Sequence, residues 1–135
     1  MPIKNPLRCI LLWLILILMM ILHFNYHVGE LFYGIDVARE NANGVVPVGT
    51  HVIRNVFYHL PIIWILILLF SSSKIILKSL FVISIIYTLS HTAHLIGEFQ
   101  SPDLSQGPLL ILTLIISIIL SFEHYKYMKI EFKEV

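Results

Sequence analysis

The chain has 135 residues, 58% of them hydrophobic and only 13% charged, with a formal net charge of +1. Water-soluble domains average about 45–50% apolar and about 25% charged residues, so this is a membrane-protein composition. A nearly neutral chain offers no electrostatic footprint for nucleic acid or strongly acidic partners. The single cysteine, Cys9, excludes an intramolecular disulfide framework and a Cys-based zinc site.

Four apolar segments are expected as spans, at about 7–27, 55–71, 75–98 and 107–124, within one membrane domain covering 1–135. A bilayer core of ~30 Å takes about 20 residues of helix, and each segment reaches that length with its flanks. The fold class is therefore an all-α integral membrane protein, a four-transmembrane-helix bundle. Lys4 and Arg8 precede the first run as in a signal peptide, but no small-residue cleavage pattern follows, so the run is read as a retained span. Cys9 is expected to be a small apolar residue near its start.

The first connection, 28–54, is long and punctuated by Gly34, Gly44, Pro47 and Gly49. The stretch Asn41-Ala42-Asn43-Gly44 reads as a turn, and 31–40 as a short interfacial helix. Thr50 is a candidate N-cap for a helix running through His59. Pro61 removes a helix hydrogen bond and predicts a kink or a freed carbonyl. The brief Ser71-Ser72-Ser73-Lys74 link makes the second and third spans antiparallel neighbours. The third connection, 100–108, is a tight polar loop with Pro108 at a first helical position. Thr113, Ser117 and Ser121, spaced i, i+4, i+8, suit close helix packing and mark the fourth span as structural. His124, beside Glu123 and Lys126, reads as an interfacial or solvated helix end.

The basic residues orient the chain. Lys4, Arg8, Lys74, Lys78, Lys126, Lys129 and Lys133 fall in the two tails and the second connection, and only Arg39 and Arg54 in the first. By the positive-inside rule both termini are cytoplasmic. The first and third connections, with Glu30, Asp36, Glu40, Glu98 and Asp103, then lie on the non-cytoplasmic side.

Two stretches dominate the chemistry: His23-x-x-x-His27-x-x-Glu30 and His91-x-x-His94-x-x-x-Glu98. Each puts two imidazoles and a carboxylate on one helical face. Counting ~1.5 Å per residue from each span's cytoplasmic start brings His23, His27, His91 and His94 into one band of depth near the outer side. His59, entering from the second span, joins that band. Ser84, Tyr87, His91, His94 and Glu98 form one polar stripe on the third span. Ionisable groups inside a span are costly and point to function.

Imidazole with carboxylate and no thiol suits Zn, Fe or Mn. The expected metal ligands are His23, His27, His59, His91 and His94. Glu98 and Glu30 are candidate ligands or general bases, and Tyr87 and Arg54 candidate substrate-polarising groups, of a metal-dependent hydrolase or oxidoreductase acting on a lipid or other membrane-embedded small molecule. The layout resembles the histidine boxes of membrane di-iron hydroxylases and desaturases. Those families, however, carry more histidines, in adjacent pairs and usually on the cytoplasmic side. A b-type haem held by His59 with His91 or His94 is the alternative, in an anchor or electron-transfer subunit. Proton or metal-ion passage, and a non-catalytic subunit of a homo-oligomer or larger membrane complex, remain further readings.

Overall fold

The computed structural model describes residues 5–38, 42–100 and 105–133. It holds four helices long and apolar enough to cross a membrane. They are α1 (Asn5–Gly29), α2 (Val48–Phe70), α3 (Lys74–Glu98) and α4 (Gly107–Lys133). Each buries a seam with steps of three and four residues. In α1 the seam is Cys9, Trp13, Leu16, Met20 and His23. In α3 it is Leu77, Leu80, Ser84, Tyr87, His91 and Leu95. In α4 it runs Leu110, Thr113, Ser117, Leu120, His124 and Tyr127. A repeat averaging 3.5 residues keeps one stripe of each helix turned to its partners. The opposite faces, such as Leu11, Leu14, Leu18 and Ile21 on α1, are exposed and apolar, as hydrocarbon requires.

Gly29 ends α1, and a single 3₁₀ turn follows at Glu30–Tyr33. Gly34 stops it at φ 76°, donating to the Leu31 carbonyl at 3.1 Å. This left-handed position suits glycine, and it cuts the helix expected over 31–40 to one turn. Arg39, Glu40 and Asn41 lie outside the described residues, as do Lys4 and Asp103. The turn at Gly44 has φ 76°, and the Val45 N–H donates to Asn43 Oδ1 at 3.0 Å, an Asx turn. α2 starts immediately after Pro47, so Thr50 lies inside it and donates its N–H to the Pro47 carbonyl at 2.9 Å. The proline's pre-set φ, here −59°, starts the helix one turn earlier than the hydroxyl would have.

Pro61 has a specific consequence. Residues Asn55–His59 form a π turn, and the Leu60 N–H donates to the Asn55 carbonyl. In that register the donor for the Val56 carbonyl would be the N–H of residue 61, which proline lacks. The Tyr87 hydroxyl of α3 donates to that carbonyl instead. The freed acceptor expected near Pro61 is thus a tie between α2 and α3. Tyr87→Phe should lower stability by about 1 kcal/mol, measured by thermal unfolding in detergent. In a Pro61→Ala background, where residue 61 regains its N–H, the loss should shrink.

The closest backbone pairs are α3 with α4, α1 with α4, and α1 with α2. α2 and α3, joined by three serines, meet through large side chains: Phe57 packs on Tyr87 and His91 with ring centres 5.6 and 5.4 Å apart. Bulk at those positions holds the two axes apart. Small residues do the reverse between α3 and α4. Thr88 Oγ1 donates to the Ser84 and Ser117 carbonyls, both at 3.0 Å, and lies 3.1 Å from Ser121 Oγ. Ser84 and Ser117 are fully buried. Ser117→Leu should cost roughly 1–3 kcal/mol through overpacking, read as a lower unfolding temperature.

The termini end of the bundle differs from expectation. His124 is 1% exposed rather than solvated. Its Nε2 accepts the indole N–H of Trp13 at 3.0 Å. The correction follows from the α4 seam, whose step from Leu120 lands on residue 124. Glu123 beside it binds Lys126 Nζ at 2.8 Å and Arg8 Nη1 at 3.4 Å. Cys9, fully buried, packs in the same core as Trp13.

Candidate functional site

At the other end, where α1 and α3 finish and α4 begins, imidazoles gather. His23 sits on the α1 seam and is 9% exposed. Its ring centre is 4.9 Å from that of His27, one turn further along α1, and 4.7 Å from that of His94 on α3. Both contacts are edge to face, at 75° and 82°. His91, one turn deeper on α3, is 3% exposed and lies against Phe57 and Tyr87. Glu98 is half-buried at the end of α3, one turn beyond His94.

The fourth helix also enters the site. Gln106, just before α4, is 1% exposed. Its Nε2 lies 3.2 and 3.3 Å from the two ring nitrogens of His27. The sequence does not single out this residue, because an amide in a polar loop looks like solvent-facing chain. The signal that could have found it is the α4 seam, which steps back from Leu110 by four residues onto 106.

Three buried polar atoms here make no hydrogen bond: His23 Nδ1, His91 Nε2 and Gln106 Oε1. Each unpartnered buried group costs about 1–3 kcal/mol; Trp64 Nε1 and, at the opposite end, His124 Nδ1 are likewise unpartnered. Imidazoles bound to one tetrahedral ion, at a metal–nitrogen distance of ~2.0–2.1 Å, have ring centres roughly 5 Å apart, close to the spacing found around His23. The edge-to-face orientation does not converge the nitrogens. Among the described residues no group of three or more His, Cys, Asp or Glu side chains is placed to hold a metal ion as it stands.

The remaining candidates lie apart from this group. His59 is exposed, its Nδ1 is 2.6 Å from Asn55 Oδ1, and it shares no ring contact with the other histidines among the described residues. Arg54 is exposed on α2. The Tyr87 hydroxyl is engaged by the Val56 carbonyl and its ring by Trp13 at 4.9 Å. Glu30 is half-buried in the 3₁₀ turn and borders a separate groove with Tyr26 and Tyr33. Two helices thus supply the imidazole group, with an amide from the start of a third, rather than three helices with five histidines. The haem pairing of His59 with His91 or His94 would place one axial ligand on an exposed α2 face.

Comparison of the chain with protein-family models, with curated proteins and with solved structures gives no match.

Proposed function

We propose that this protein is a multi-pass membrane protein that binds a transition-metal ion, Zn, Fe or Mn, at His23, His27 and His94. His91 and Glu98 flank the site, and the Gln106 amide orients His27. The observation that carries this reading is the imidazole group centred on His23, whose ring meets those of His27 and His94. An ion there would fix rings that otherwise meet only edge to face. A ligating imidazole donates its second ring N–H to an outer-sphere acceptor, and the Gln106 amide, turned so that its buried Oε1 faces His27, would supply one. Arg8, Lys74, Lys78, Lys126 and Lys129 favour cytoplasmic termini, so the site belongs to the non-cytoplasmic side. A half-buried carboxylate beside the ligands, Glu98, supplies a base for chemistry on a membrane-embedded substrate.

Elemental analysis of the purified protein in detergent, with an optical spectrum of the same sample, tests the reading. One equivalent of zinc, iron or manganese per chain without a Soret band is the expected outcome. A Soret band at stoichiometric haem would transfer support to the haem reading. A protein that stays metal-free after incubation with each ion would sink the metal site.

A further inference from the structure

A second feature at the same end stands apart from the imidazole group and does not depend on it. The last two turns of α1, the 3₁₀ turn and Ser105 border an open groove of about 410 Å³. Leu22 and Gly29 form part of its apolar lining, with Asn25, Tyr26, Glu30 and Tyr33 around them. Tyr26 and Tyr33 are 51% and 86% exposed, so their ring faces are available. Glu30 makes no ion pair among the described residues, and the groove has no lysine or arginine in its lining. A carboxylate with no counter-charge among the described residues, at the edge of an apolar groove, attracts a cation that brings hydrocarbon with it. Exposed tyrosine faces bind alkylammonium groups through their ring quadrupoles. A phosphate-only headgroup would meet the Glu30 charge with nothing to offset it.

We propose that this groove is a lipid site selective for an ammonium headgroup, with a choline-type phospholipid as its occupant. The ammonium lies between the Tyr26 and Tyr33 rings beside the Glu30 carboxylate. The first methylenes of the lipid lie along Leu22 and Gly29, and the acyl chains follow the exposed apolar face of α1.

Gly29 allows a direct test. Its φ is −59°, and a Cβ added there meets nothing within 4 Å. Gly29→Leu therefore fills the groove without strain. The protein is assembled in nanodiscs with equal amounts of choline and glycerol phospholipids of identical acyl chains, and the lipid retained on release is identified by native mass spectrometry. The wild type should retain the choline lipid over the glycerol lipid by about tenfold. Glu30→Gln should abolish the preference, and Gly29→Leu should abolish retention itself. Both variants should unfold at wild-type temperatures and carry wild-type metal content, which separates this outcome from the fate of the metal site. Equal retention of the two lipids, a preference for the anionic one, or a choline preference that survives Glu30→Gln would overturn the proposal.

Discussion

Replacing His23 or His94 by alanine should lower metal affinity by at least ~100-fold, while His59→Ala should change it less than about twofold. The contrast follows from position. His23 touches both other rings of the group, at 4.9 and 4.7 Å, whereas His59 is exposed and paired with Asn55. Loss of an outer-sphere partner alone costs roughly 10–100-fold in affinity, so loss of a ligand should reach or exceed the upper end. Gln106→Leu should fall within that outer-sphere range, because it removes the amide at His27 and leaves all three imidazoles. His91→Ala discriminates between a three-histidine centre and a larger one. A small effect confines the site to His23, His27 and His94, and a loss equal to that of His23→Ala adds a fourth ligand. Titration with Co²⁺ gives the measurement, since tetrahedral coordination to nitrogen produces strong visible absorption. Equal affinities for the His23→Ala, His94→Ala and His59→Ala variants would contradict the site.

Trp13 should be the residue whose loss destabilises the bundle most. It is fully buried, packs edge to face on Tyr87 at 4.9 Å, and donates its N–H to His124 at 3.0 Å. Large aromatic truncations in cores cost about 3–5 kcal/mol, and Trp13→Ala should fall there. The hydrogen bond contributes the smaller share. Interhelical hydrogen bonds in membrane proteins average ~0.6 kcal/mol and reach about 1.7 kcal/mol. A double-mutant cycle of Trp13→Phe with His124→Phe should therefore give a coupling energy within that range. A coupling near zero would mean that the indole N–H and the imidazole are bonded without mutual stabilisation. Unfolding in a mild detergent, followed by circular dichroism, reads both quantities.

The four helices are legible in the amino-acid sequence because length and apolar composition decide them locally. A helix satisfies its own backbone hydrogen bonds, so a run of about 20 apolar residues in lipid has little other choice. The small-residue packing at Thr113 and Ser117 and the freed carbonyl near Pro61 are readable for the same reason. Each depends on its own helix and one neighbour. His23, His27, His91 and His94 stand out because their spacing on single helices marks polar faces within apolar runs.

Expectation and structure part where a short-range pattern is extended too far. The i, i+4, i+8 row in α4 leads from Thr113 and Ser117 to Ser121, drifting off the seam that passes instead through Leu120 to His124. That drift hides a buried histidine at one end and Gln106 at the other. Depth along the membrane normal groups His59 with the other histidines, but depth does not set the direction a side chain faces around its helix. The π turn at Asn55–His59 rephases α2 at that level, and His59 is exposed.

Sequence alone thus settles what each helix is and how far along it each polar group lies, because both follow from rise per residue and solvent preference. Which helices come into close contact, and which rings meet, is decided only in three dimensions. Small serines and threonines draw α3 onto α4, bulky Phe57 and Tyr87 hold α2 off α3, and α1 is left facing α3 with His23 beside His94. The sizes of side chains from four separate segments set that outcome together, and no single segment carries it.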